Sequence, residues 1–426
     1  MSSLPKLRLS EFSDSNTYCL HKFDDMFSFS SGKNIKQNEA SPEFSTPCVR
    51  YGELYHMYGE VITKTINNTN LERSELTFSA GNEILLPSAG EDPLDIGSAS
   101  ALTLKGVAIG RTINVLRPKG TIYYSHIYVS YYINEKLRKR ISQLARGASI
   151  SNVYNSDLKT LKAYLPSFPE QQKVASFLLK VDEKVALLTD KKNKLTEYKK
   201  GVMQQLFNGK WESKNGQQIF VPPTLRFKAD DGNEFPDWET RRLKHYLSVR
   251  KDKNIDLEFS KQDVLSVSGA VGVVNQIEFQ GRSFAGASVA PYRIVRHGDV
   301  VYTKSPLKLN PYGIIRSNKG KDGIVSTLYA VYKCKSNIQH EFLDYYFQLN
   351  DNTNRYLRPL VNKGAKNDMK VNDSTVLNDP VCIPNKREQI KIVNFLSTID
   401  QKIDLAKLEL EKAKEWKKGL LQQMFV

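Results

Sequence analysis

The stretch YLPSFPEQQKVASFLLKVDEKVALLTDKKNKLTEYKKGVMQQLF, residues 164–207, decides the architecture, because the chain contains it twice. Residues 382–425 read CIPNKREQIKIVNFLSTIDQKIDLAKLELEKAKEWKKGLLQQMF, and the two align without a gap at an offset of 218, with 17 identities in 44 positions. Pro166 meets Pro384, Glu170-Gln171 meets Glu388-Gln389, Phe177-Leu178 meets Phe395-Leu396, and Asp182 meets Asp400. The endings pair Lys199-Lys200-Gly201 with Lys417-Lys418-Gly419 and Gln204-Gln205 with Gln422-Gln423. Self-similarity of this extent marks a duplicated structural plan.

Each copy reads as a long helix with an acidic residue in its first turn, which suits the helix dipole. Leu178, Val181, Val185, Leu188 and Leu195 recur at helical spacing, as do Leu396, Ile399, Ile403, Ala406 and Leu410. This is an apolar stripe of coiled-coil type. About 38 residues at 1.5 Å each make a rod of roughly 57 Å. A lone amphipathic rod must bury its stripe. The expected partner is the other copy, in an antiparallel pair, so the ten stripe residues are assigned to helix pairing and partner docking. The alternative is that each rod packs on its own globular block. Lys180, Lys184, Lys191 and Lys194 fall largely off the stripe and read as a solvated face.

The same offset recurs outside the rods. Pro5-Lys6-Leu7-Arg8-Leu9 aligns with Pro223-Thr224-Leu225-Arg226-Phe227. Between such islands the halves diverge. The expected layout is a globular block at 1–165, a helix at 166–207, a linker at 208–222, a second block at 223–383 and a second helix at 384–426. The fold class is α+β: two pseudo-symmetric globular domains joined by two long helices in an antiparallel coiled coil. Strand-like runs are Glu83–Leu86, Gly120–Tyr124, Asp299–Tyr302 and Thr327–Tyr332, with helices at Ile127–Leu144 and Glu341–Leu349. The pseudo-twofold places Phe425 near Pro5.

Composition narrows the function. Lys plus Arg is 62 against 46 Asp plus Glu, a net charge of +16. That surplus suggests an anionic partner, nucleic acid first. Cys19, Cys48, Cys334 and Cys382 form no CxxC pair, which argues against a zinc ribbon and a disulfide framework. Met1–Ser10 lacks an apolar signal region and no run of about 18 apolar residues exists, so a cytoplasmic location is expected.

Catalytic motifs are missing. There is no GxxxxGK[ST] loop and no HExxH, and the histidines are widely spaced. Gly106–Gly110 reads GVAIG, the wrong spacing for a dinucleotide turn. No resident metal or cofactor is expected. Acidic-x-Lys triplets such as Glu197-Tyr198-Lys199 read as surface pairs on a helix. What remains is basic side chains near glycine-rich turns, where backbone can approach a ligand closely. The DNA-contact candidates are Lys105, Arg111, Arg146 and Ser149 in the first block, and Arg282, Lys304, Ser305, Lys363 and Lys366 in the second. Arg and Lys bridge phosphates or read guanine, and Ser reaches phosphate or base edges. A single-chain methyltransferase or nuclease with a divergent site, and a purely structural coiled-coil protein, are the competing readings.

The pattern resembles the specificity (S) subunit of bacterial type I restriction-modification systems, over the whole chain. The resemblance rests on Pro-x-x-x-Glu-Gln at Pro166 and Pro384, the Phe-Leu run ending at Asp182 and Asp400, and the Lys-Lys-Gly-x-x-Gln-Gln-x-Phe endings. Gly298-Asp299-Val300-Val301-Tyr302 adds to it, and Gly81-Asn82-Glu83-Ile84-Leu85 departs from the pattern. The resemblance implies a non-catalytic subunit whose two target-recognition domains each read one half of a bipartite, gapped site in double-stranded DNA. It implies two modification subunits that methylate adenine N6 and two restriction subunits that translocate and cleave. S-adenosylmethionine, ATP and Mg would belong to those partners.

Overall fold

The computed structural model describes residues 4–13, 18–214, 217–361, 369 and 371–425. The chain divides into two compact units, Met1–Thr189 with Leu408–Val426, and Asp190–Lys407. Four helices organise them: α1 (His126–Tyr132), α2 (Phe168–Phe207), α3 (His340–Gln348) and α4 (Lys386–Met424). The long helices α2 and α4 have 40 and 39 residues. Each is divided between the units, so each unit contains part of both.

Helix starts follow local chemistry. Asn385 Oδ1 accepts from the N–H groups of Arg387 (3.0 Å) and Glu388 (3.1 Å), capping α4. Pro169 falls in the first turn of α2, where an N–H would have no helical partner anyway. The strand that precedes each long helix is pinned by an N-terminal strand: Cys19–Lys22 pairs antiparallel with Lys162–Leu165, and Glu239–Arg242 with Pro380–Ile383.

The first unit holds two five-stranded sheets. One runs in the order Phe27–Ser31, Ile113–Pro118, Glu83–Pro87, Ser100–Leu102, Val61–Ile62. Glu83–Pro87 is buried throughout, including its carboxylate. Glu83 is held by the N–H groups of Ala80, Gly81 and Asn82 at 2.6–3.1 Å and by Arg117 Nε at 3.2 Å, which offsets the cost of burying the charge. The run Gly120–Tyr124 is not a strand. Pairing ends at Pro118, Gly120 turns the chain at φ +85°, and Tyr124 packs edge-on against Phe27 at 5.0 Å. The helical run after it is α1, a π-turn at Ile133–Leu137 and a helix at Arg138–Leu144.

The second unit centres on an antiparallel sheet in the order Leu247–Val249, Tyr329–Cys334, Val300–Thr303, Ile315–Ser317. Residues expected as a linker form a hairpin, Lys210–Lys214 against Gln217–Val221.

The cores explain the apolar stripe. Leu178 and Val181 are buried in one cluster with Tyr128, Tyr131, Leu420 and Phe425. Leu396 and Ile399 are buried with Phe342, Tyr345, Leu206 and Phe207. Within each unit the stripe therefore packs on the other long helix and on the globular block together. Ala406 and Leu410 are also buried, and Val185, Leu188, Leu195 and Ile403 are half-buried. Leu7 N–H donates to Gln423 O at 3.0 Å, so the segment around Pro5 meets the end of α4 within the first unit.

Candidate nucleic-acid interface and the seats of the long helices

The repeated motif residues meet in two matching seats. Arg8 Nε and Nη2 grip Glu170 at 2.9 and 2.6 Å, and Arg226 grips Glu388 in the same fork at 3.0 and 2.8 Å. Both carboxylates are buried, where a bidentate pair is the geometry that compensates lost hydration. The neighbouring glutamines tie the helix entry to the block. Gln171 donates to Pro166 O and accepts from the N–H of Ser125, the residue before α1. Gln389 donates to Pro384 O and accepts from the N–H of Gln339, the residue before α3.

Asp182 and Asp400 complete the seats. Tyr131 donates its hydroxyl to Asp182, and Tyr345 donates to Asp400 at 2.7 Å. In the first unit Lys417 Nζ lies 2.7 Å from Asp182 and 2.8 Å from Glu60. In the second, Lys199 Nζ lies 2.6 Å from Asp400. Each ammonium also sits over the tyrosine ring, Lys417 at 5.7 Å and Lys199 at 5.1 Å. Burial alone would lower the Lys417 ammonium pKa, but the carboxylates of Glu60 and Asp182 outweigh it and raise it. Lys199, read from sequence as half of a surface pair, is mostly buried in this role.

The final motif phenylalanines close the seats. Phe425 packs against Tyr128 (5.1 Å) and Tyr132 (6.2 Å), and Phe207 against Phe342 (5.6 Å) and Tyr346 (5.8 Å). The receiving residues lie on α1 and α3 and share the pattern His-x-aromatic-x-x-Tyr-Tyr, from His126 to Tyr132 and from His340 to Tyr346. This second repeat has an offset of 214, out of phase with the 218 of the long helices, which hides it in an alignment of the two halves. In each unit the block is held by one residue pair from one long helix and a second pair from the other.

The DNA-contact candidates are dispersed. Lys105 opens the strand Lys105–Ile109 and is exposed. Arg111 lies past the other end, six residues on, or roughly 20 Å at strand spacing. Arg111 is exposed beside a second loop: its N–H donates to Asn34 O at 2.9 Å, and Lys33 N–H donates to Ile109 O at 3.0 Å. The two loops touch so closely that a Cβ on Gly32 would lie 2.0 Å from Gly110 O. Asn34, Ile35 and Thr112 there all have positive φ. The exposed cations Lys33 and Lys36 thus join Arg111, and only the Ser-Gly-Lys-Asn turn hinted at them. Arg146 and Ser149 lie on a loop closed by two backbone hydrogen bonds between Arg146 and Asn152. That loop continues through Val153 N–H to Ser88 O, and Ser88 N–H to Thr112 O, onto the Arg111 edge. The Arg146 guanidinium is exposed although it also reaches Asp157 at 2.9 Å.

In the second unit Arg282 stacks over Phe284 at 4.6 Å. Phe284 and Phe279 are about half exposed, and the loop is pinned by the Phe284 N–H donating to Gln276 Oε1 at 2.6 Å. Lys304 is mostly buried and paired with Asp373 at 2.7 Å, whereas Ser305 is exposed. Lys363 and Lys366 lie outside the described residues. Among the described residues no His, Cys, Asp and Glu side chains cluster to hold a metal ion, and no helix is long and apolar enough to cross a membrane.

The type I restriction modification DNA specificity domain matches residues 18–197 and 293–415, more than half of the chain. The type I restriction enzyme MjaVIII specificity subunit of Methanocaldococcus jannaschii is 25% identical over 357 residues, covering 80% of this chain and 77% of that protein. The crystal structure of the type I restriction-modification system S subunit from M. genitalium has a TM-score of 0.59 at 16% identity, covering 100% of this chain and 99% of that one. The likeness to that structure is one of fold.

Proposed function

This chain belongs to the family of type I restriction-modification specificity subunits, and from that premise we propose how it works. It is a non-catalytic DNA reader. Each globular block is a target-recognition domain that reads one half of a bipartite, gapped site in double-stranded DNA. The long helices set the gap and dock two modification subunits, which methylate adenine N6. Two restriction subunits join to cleave unmodified DNA. S-adenosylmethionine, ATP and Mg are handled by those partners.

The observation that supports this reading best is the duplicated seat. Gln171, Asp182, Lys417 and Phe425 hold one block, and Gln389, Asp400, Lys199 and Phe207 hold the other. The seats match while the blocks differ in sequence and sheet order. Constant mounts under variable readers are what modular DNA specificity needs, because a reader can change without disturbing the scaffold. The stripe residues are occupied inside the chain, so docking falls to apolar side chains left exposed on the rods. Leu187 (63%) and Leu405 (55%), and Tyr198 (55%) and Trp416 (46%), repeat at the offset of 218, which suits two copies of one partner.

The test is a domain exchange. Residues 5–165 are replaced by the matching segment of a relative that keeps the His-x-aromatic-x-x-Tyr-Tyr pattern, and methylated adenines are mapped in a host that also makes the modification subunit. One half-site should change while the other half and the gap stay constant. A change in both half-sites would refute modular reading.

A further inference from the structure

In the second unit a cleft of about 400 Å3 is lined by Val249, Lys251, Lys253, Arg293, Asp373 and Ser374. It forms where the chain leaves the strand Leu247–Val249 and crosses to the strand Arg293–Val295 through a bridge between Lys253 and Arg293. Asp373 is the one carboxylate among these lining residues. It is bound by the Arg293 guanidinium and by Lys304 Nζ at 2.7 Å, and its backbone carbonyl accepts from the buried Tyr332 hydroxyl at 3.0 Å. Burial alone would raise the Asp373 pKa, but hydrogen bonds from Lys304 and Arg293 outweigh it and hold the carboxyl below its ordinary range. It is therefore a fixed anion that aims two cations. Lys251 and Lys253 are exposed, and among the described residues neither is paired with a carboxylate.

Three cationic side chains thus line a cleft that holds a single carboxylate, and a fourth, Lys304, binds that carboxylate. Such a cluster has an unmet demand for negative charge, and the low-dielectric walls focus the potential within it. Two of the cations are preorganised, so an entering oxyanion loses little free energy to ordering them. The other two are free to close over it. Among the described residues no aromatic side chain lines the cleft to stack a base, so its chemistry fits an oxyanion rather than a base edge.

We propose that this cleft is a phosphodiester clamp that seats one backbone phosphate of the bound DNA, with Lys251 and Lys253 as the contacting pair and Asp373 as the residue that positions Arg293 and Lys304. This assignment rests on the DNA-reading function proposed above and adds its register. The clamp carries no sequence information; it fixes where the second recognition domain sits along the duplex.

The test uses the full chain purified with its modification subunit. Two labelled duplexes are titrated over a range of salt concentrations, one carrying the motif found by methylation mapping and one scrambled. In the Lys251→Ala/Lys253→Ala double variant the salt slope should become shallower by about 0.9, the value of one phosphate contact. Affinity for both duplexes should fall by the same factor, and the methylated motif should not change. Unchanged slopes, or a loss confined to the motif duplex, would overturn the clamp. So would a melting temperature that inorganic phosphate raises in the wild type but not in the variant while the DNA slopes coincide, because the cleft would then hold a free anion. If the wild-type complex showed no methylated motif, the recognition reading would fail, and the slopes on the scrambled duplex would still decide the clamp.

Discussion

At the scale of single residues, buried charge is tolerated only where its partners are complete. Asp344 on α3 accepts from Arg316 at 2.8 and 3.1 Å, from the Ser317 N–H at 2.9 Å and meets Lys319 at 2.7 Å. Burial opposes its ionisation, yet the Arg316 and Lys319 partners win and bring its pKa down to about 2. A depressed folded-state pKa contributes stability above the unfolded value near 3.9, and that contribution is lost as pH falls towards 2. The shift is worth about 2–3 kcal/mol. Denaturant unfolding of Asp344→Asn should therefore show a shallower acid dependence than the wild type between pH 4 and pH 2. At neutral pH the variant should be less stable by roughly 3–5 kcal/mol, because Arg316 is left buried without its counter-charge. Equal acid slopes would contradict this account of Asp344. The carboxylate itself was invisible in the sequence, since nothing near Asp344 announces Arg316, 28 residues earlier. The Glu-Gln pairs were visible as repeated identities, but their work was not. It depends on Arg8 and Arg226, each 162 residues away in sequence, and on backbone N–H groups that have no sequence signature.

At the scale of elements, the long helices were legible because a helical period sustained over about four to five turns, and repeated in the second copy, has no other structural reading. The strand Val300–Thr303 was legible for a similar reason, being apolar on both faces. The run Gly120–Tyr124 misled because its aromatic and β-branched residues mimic a strand, although they serve a loop that packs on Phe27. The hairpin of Lys210–Lys214 with Gln217–Val221 reads as a linker in the sequence, although Asn215-Gly216 is a strong hairpin dipeptide, because its first strand is mostly polar. The dispersal of the DNA-contact candidates was beyond sequence, since distance along a strand separates Lys105 from Arg111 while loop contacts bring Lys33 to it. The seats yield an element-scale prediction. Phe425→Ala removes the ring held by Tyr128 and Tyr132 and should cost about 3–5 kcal/mol. Hydrogen exchange should accelerate in α1 and remain slow in α3, because Phe207 serves the other seat. Uniform acceleration in both helices would show that the seats are not independent.

At the scale of the whole molecule, the proposed function gives reading to the blocks and measuring to the helices. Insertion of seven residues after Lys192 and after Leu410 preserves the heptad phase and lengthens each helix by roughly 10 Å. On duplex DNA that corresponds to about three base pairs. The gap in the methylated motif should widen while both half-sites keep their sequences. Altered half-sites with an unchanged gap would remove the measuring role from the helices. The most direct test of the central claim is the motif itself. The chain is expressed with its modification subunit, and methylated adenines are mapped across the host genome by long-read sequencing. The expected result is a gapped motif of two unlike half-sites, methylated only when this chain is present. A continuous motif, or methylation that persists without the chain, would contradict it.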